Sequence, residues 1–220
     1  MQTFPTPAPI SAVLDIPAGR VQIIAADRSD TAVEVLPADA SKNRDVKVAE
    51  QTTVSFADGV LRIESVAPHQ ILGSSGYLEV TVQLPAGSRV EAKAASAELR
   101  GVGRLGDVTF EGAEGVVKLD EAASVKLTTL TGDVTVGRLG GPANISTGKG
   151  SIRIAEAVRG SVVLSTQAGD VTVGAAAGVS ASLDAGTSYG RIQNSLKNTG
   201  DAELAIRATT AYGDIAASSN

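Results

Sequence analysis

The chain has 220 residues, a formal net charge of −5, no cysteine, one histidine and 24 glycines. That length supports a sizeable core, the missing cysteines rule out disulfides and thiolate metal sites, and the scattered charge offers no basic face to nucleic acid or anionic lipid. The core must be built from Val, Ile, Leu and Ala, because aromatic residues make up only 3% of the chain, and no apolar run reaches the roughly 18 residues of a membrane span.

Residues 1–9 are Pro-rich and read as an extended arm. They lack the basic start and apolar stretch of a secretion signal, so the expected location is the cytoplasm, with the cell surface left open. From residue 10 the pattern is of short alternating strands at 10–16, 20–25, 32–36, 52–56, 60–66 and 78–84. Turn chemistry separates them: Pro17-Ala18-Gly19, Asp27-Arg28-Ser29-Asp30 and Asp58-Gly59. The last predicts a hairpin, since both residues tolerate the positive φ of a primed turn. Residues 37–49 fit a short helix or a surface loop. Ile16-Pro17-Ala18-Gly19-Arg20-Val21 is echoed by Leu84-Pro85-Ala86-Gly87-Ser88-Arg89-Val90, and the second copy marks the passage into a repetitive half.

That half carries one phrase many times. Thr129-Leu130-Thr131-Gly132-Asp133-Val134 returns as Thr147-Gly148-Lys149-Gly150-Ser151-Ile152 and as Thr166-Gln167-Ala168-Gly169-Asp170-Val171. Looser copies stand at Gly106-Asp107-Val108, at Thr187 to Ile192 and at Thr210 to Ile215. Such a period indicates stacked β coils, with two strands per coil or three very short ones. By the rule for parallel crossovers the coil should be right-handed. The inward residues predicted from the alternation are Val134, Val136, Ile152, Ile154, Val171, Val173, Leu127, Ile145 and Leu164. The threonines Thr129, Thr147, Thr166, Thr187 and Thr210, three residues before their turn glycines, are predicted to form a hydrogen-bonded ladder from coil to coil. The expectation is an all-β, single-domain β-solenoid: an arm at 1–9, a hairpin-containing β portion at 10–87, parallel β-helix-like coils at 88–217 and a tail at 218–220.

Thr-x-x-Gly-Asp-Val units preceded by a Leu-Pro-Ala-Gly-Ser junction resemble the bacterial β-strand-repeat family known as putative adhesins, a domain of unknown function, in its actinobacterial form. The closing Thr187-Ser188-Tyr189-Gly190-Arg191-Ile192 and Ala211-Tyr212-Gly213-Asp214-Ile215 are similar to that family's C-terminal turns. The resemblance runs from about Ile10 to the end. It implies a fold and an adhesin-like role, and brings no catalytic residue with it.

Each site candidate has a structural alternative. Asp107, Asp133, Asp170 and Asp214 follow turn glycines and form a column suited to a cation or sugar, although Asp after Gly ordinarily caps a turn. A calcium site needs a cage of six to eight oxygens, and no calcium-binding nonapeptide is present, so no metal or cofactor is expected. His69, in the loop 67–77, reads as a surface residue rather than a base, there being no partner nucleophile. Tyr189 and Tyr212 share the position before the turn glycine and should stack on each other or present rings to a sugar, and Tyr77 is a third ring that the sequence cannot place beside them. Lys149, Arg153 and Arg191 replace neutral residues at corresponding positions, and only Asp133, Asp170 and Arg153 could be assembled into an acid-base set. Gly148-Lys149-Gly150-Ser151 lacks the spacing and helix of a phosphate loop.

The expected function is therefore a non-enzymatic scaffold or binding module for a polysaccharide or protein ligand. The alternatives are an intracellular self-assembling scaffold and, third, a polysaccharide-acting enzyme. The coil at 202–217 is expected to leave an unpaired edge and to support weak homo-oligomerisation.

Overall fold

The computed structural model describes residues 1–65 and 76–220. The chain folds as two compact units, Met1–Gly115 and Val116–Asn220, whereas the sequence pattern changes at 87–88. His69 lies outside the described residues.

The first unit contains β1 (Gln2–Pro5), β2 (Ser11–Ala26), β3 (Asp30–Pro37), α1 (Asn43–Gln51), β4 (Thr52–Ala57), β5 (Val60–Ser65), β6 (Leu78–Pro85) and β7 (Arg89–Glu114). Pairing is mixed. β2 runs parallel to β5, β6 and β7, while β1–β3, β3–β6 and β4–β5 are antiparallel. The hairpin forms where expected: Asp58 and Gly59 take φ of 51° and 75° between β4 and β5. The arm is not free, because Gln2–Pro5 pairs with β3 and Phe4 packs against Phe56, with ring centroids 5.4 Å apart.

The echoed Pro-Ala-Gly phrase has two outcomes. At Pro85 to Ser88 it turns the chain: Gly87 has φ of 82°, and the Ser88 hydroxyl donates to the Pro85 carbonyl at 2.7 Å while accepting the Ile10 N–H at 3.0 Å. At Pro17 to Gly19 the expected turn is absent. β2 runs on without a break, its first part beside β5 and its second beside β6. A Cβ at Gly19 would lie 2.0 Å from the Leu78 carbonyl oxygen, so this glycine permits close approach of backbones rather than a reversal. Gly106, read as a turn glycine, likewise lies within β7.

The second unit contains β8 (Val117–Thr131), β9 (Val134–Leu139), β10 (Ala143–Lys149), β11 (Ile152–Ala157), β12 (Gly160–Ala168), β13 (Val171–Ala175), β14 (Ala181–Tyr189), β15 (Ile192–Ser195), β16 (Leu204–Tyr212) and β17 (Ile215–Ser219). Each coil contributes two strands, and the coils stack as two parallel ladders. One runs β8–β10–β12–β16–β14, and the other β8–β9–β11–β13–β17–β15. The alternation holds throughout: all the residues predicted to point inward, from Leu127 to Val173, are at most 1% exposed.

The ladders also correct the expected edge. The last coil in sequence, β16 and β17, is not the last in space. β16 pairs with β12 on one side and β14 on the other, and β17 lies between β13 and β15. The preceding coil, β14 and β15, is the terminal one. Hydrophobic burial accounts for the exchange. The inserted coil offers Leu204, Ile206, Ala208, Ile215 and Ala217, all at most 3% exposed. The terminal coil has Asn194 in register with buried Ala217, and its Ile192 remains 46% exposed.

Candidate functional site

The turns of the second unit are held by side chains acting between coils. Thr147, Thr166, Thr210 and Thr187 donate their hydroxyls to the carbonyls of Gly132, Gly150, Gly169 and Gly213, the turn glycines of neighbouring coils, at 3.3, 2.9, 3.0 and 3.0 Å. Thr129, in the first coil, donates to the carbonyl of Thr131 at 3.2 Å. The threonine ladder thus exists, but these bonds go to backbone carbonyls rather than from one threonine to the next. A buried hydroxyl thereby finds a partner without a second side chain.

A second ladder runs beside it. Asp133 Oδ1 accepts the Ser151 N–H at 2.8 Å, Ser151 Oγ accepts that of Asp170 at 3.2 Å, Asp170 Oδ1 that of Asp214 at 2.8 Å, and Asp214 Oδ1 that of Arg191 at 2.9 Å. Each residue after a turn glycine satisfies the backbone of the next coil, which no local turn could do. The row ends at Arg191, whose side chain cannot accept and folds back on Asp214 Oδ2 at 2.9 Å. The Arg191 N–H first, and its guanidinium second, hold the Asp214 carboxyl below its ordinary value. Asp107 belongs to the first unit and pairs with Arg89 at 3.2 Å.

Two members of the acid-base set suggested by the sequence take part in these bonds, each through one carboxylate oxygen. Asp133 and Asp170 are engaged with backbone, and Arg153 lies on β11 in register with Thr135 and Thr172. Among the described residues, no cluster of His, Asp or Glu is arranged to hold a metal ion.

Tyr189 and Tyr212 are brought together. Paired across β14 and β16, their rings stack at a centroid distance of 5.0 Å with 3° between planes. They remain 67% and 61% exposed. The separation matches the spacing of neighbouring strands, about 4.8 Å, so each of these two coils presents one ring.

A concavity, which the sequence did not indicate, lies in the first unit. It has a volume of about 210 Å³ and is lined by Gly19, Arg20, Ala38, Tyr77, Leu78, Glu79 and Glu98. Arg20 sits between Glu98 at 3.2 Å and Glu79 at 3.8 Å. Its charged residues come from three strands far apart in sequence, so no local motif could signal it. The guanidinium is shared by two carboxylates, so its own charge is already engaged within the pocket.

Residues 13–220 match the model of the Toastrack DUF4097 family. The chain belongs to that family. A putative adhesin from Bacteroides fragilis has the same fold, with a TM-score of 0.60 at 14% identity over 98% of this chain and 95% of that one. Two proteins of Parabacteroides distasonis, a putative adhesin and a putative lipid binding protein, align at 15% and 12% identity, each with a TM-score of 0.48 over 98% of this chain and 95% of the other. No match was found among curated proteins. The resemblance in the repeat phrases is thus matched by a family assignment over nearly the whole Toastrack chain. No helix of the described residues is long and apolar enough to cross a membrane.

Proposed function

We propose that this Toastrack protein is a non-enzymatic β-solenoid module, its coils right-handed, that binds polysaccharide against the Tyr189–Tyr212 stack. The exposed ring pair carries this reading. Aromatic rings are among the largest apolar surfaces a chain can offer, and these two stand in the open, where a pyranose could lie flat on them. The polar groups nearby support binding rather than catalysis, since Asp133, Asp170 and Asp214 already serve backbone N–H groups. Retention on insoluble glycans and cell-wall material tests the reading. The wild type should be retained, and the Tyr189→Ala, Tyr212→Ala double variant should pass through. Equal retention of both proteins, or none of either, would remove the proposal.

A second reading is self-assembly, favoured by the terminal coil. β14 and β15 have strand partners on one side only among the described residues, and such an edge can pair with another copy. Sedimentation over a wide concentration range tests it: a monomer at every concentration excludes assembly through this edge. Fractionation of the native host, with protease added outside intact cells, would decide between the cytoplasm and the surface.

A further inference from the structure

The column that carries the two tyrosines continues beyond them. Successive coils place Thr131, Lys149, Ala168, Tyr212 and Tyr189 in register at this position. Because the tyrosine planes are parallel and one coil apart, each ring turns its faces toward the neighbouring layers. One face of Tyr212 is covered by Tyr189. The other looks toward Ala168, which has only a methyl group, and the next side chain in the column is Lys149. Two coil spacings, roughly 9.6 Å from the strand separation, therefore separate the layer of Tyr212 from that of Lys149. A flat ring in van der Waals contact with Tyr212, about 3.5–4 Å away, fits that interval and leaves room for an ammonium on its far side.

The surrounding groups define the ligand. Lys149 is exposed and has no ion-pair partner among the described residues. Asp170, exposed and two residues beyond Ala168, accepts the Asp214 N–H through one carboxylate oxygen at 2.8 Å. A donor and an acceptor at one small aromatic recess suit a ring that carries hydroxyls. Asp133, Asp170 and Asp214 border this column, and Arg191 is already paired with Asp214. An acidic sugar would meet more negative than positive charge there.

We propose that the recess over Ala168 seats one neutral pyranose ring of a polysaccharide, stacked on Tyr212 and hydrogen-bonded by Lys149 and Asp170. This rests on the polysaccharide reading above and deepens it. Tyr212 is the platform, and Tyr189 backs it from the far side.

The test is a titration of the full chain followed by the ring-proton NMR signals of its three tyrosines. The probes are neutral hexasaccharides of the cellulose, starch and mannan types, with oligogalacturonate and chitosan oligomers as charged comparators. Binding of a neutral probe should move the Tyr212 signals. Ala168→Phe, which fills the recess, should weaken it at least tenfold, and Lys149→Ala several-fold. Tyr212→Ala should lose more than Tyr189→Ala. Circular dichroism establishes that Ala168→Phe is folded, and if it is not, the exposed Lys149→Ala and the order of the tyrosine variants decide. Unchanged affinity in folded Ala168→Phe, or a larger loss from Tyr189→Ala, would move the sugar to the outer ring face, overturning the recess but keeping the tyrosine platform. Preference for a charged probe overturns the neutral class. If no probe binds the wild type, this proposal and the polysaccharide reading both fail.

Discussion

The Thr166 hydroxyl donates to the carbonyl of Gly150, in the neighbouring coil, at 2.9 Å. This contact ties the two recurrent residues of the repeat together. The glycine brings its backbone close enough for the next coil to stack, and the threonine satisfies the carbonyl that stacking places beside it. A Cβ at Gly169 would lie 2.1 Å from that same Gly150 oxygen, so glycine is required by the approach of two backbones.

Gly169→Ala should therefore destabilise the second unit by about 3 kcal/mol, the upper part of the ordinary range for single substitutions. Gly186 in the terminal coil has nothing within 4 Å of an added Cβ, and Gly186→Ala should change stability by less than about 0.5 kcal/mol. Urea unfolding of the two variants provides the comparison. Equal effects would show that stacking of turn glycines is not what limits the substitution.

Thr166→Val keeps the shape of the side chain and removes only its hydroxyl. Thr166 is 3% exposed, and the loss should be about 1 kcal/mol, the net value of one intramolecular hydrogen bond. Thr166→Ser, which retains the donor, should recover part of it in the same unfolding assay. A variant pair in which Val is as stable as wild type would reduce the ladder to packing alone.

Val171 is completely buried and aligned between Ile152 and Ile215. Placing a carboxylate there by Val171→Asp removes it from water without a partner. The expected loss exceeds about 4 kcal/mol, the class of single changes that can unfold a domain. Loss of the chemical-shift dispersion of the second unit would be the readout. A folded variant of near-normal stability would mean that water reaches this column.

Acid should loosen the terminal coil only at low pH. The Asp214 carboxyl is held below its ordinary value of 3.8 by the Arg191 N–H and guanidinium. A carboxyl with a depressed folded-state pKa contributes stability that is fully present above its unfolded value and is lost as pH falls through the folded one. The Arg191 amide signal should thus stay constant from neutrality to about pH 4.5, near the ordinary carboxylate range, and move below it. Asp214→Asn should abolish that acid transition. A midpoint above the ordinary carboxylate value would contradict the assigned hydrogen bonds.

The residue pattern within one period specifies the coil. Alternation placed Val134, Ile152 and Val171 inside, and the returns of Thr and Gly located the turns, because both signals come from residues within one period and backbone geometry reads them locally. The same is true of the Tyr189–Tyr212 contact, which follows from equivalent positions in two coils. The order of those coils is set by packing between segments. The insertion of β16 and β17 between β13 and β15 on one ladder and β12 and β14 on the other depends on which coil buries more apolar surface, a comparison between segments that no single period contains. Its trace in the sequence is slight: Arg191 stands where other coils have an acceptor, and Asn194 where they have Val, Ile, Leu or Ala. The Pro-Ala-Gly phrase makes the same point, since it turns the chain at Gly87 and not at Gly19, where β2 runs on paired with the Leu78 backbone.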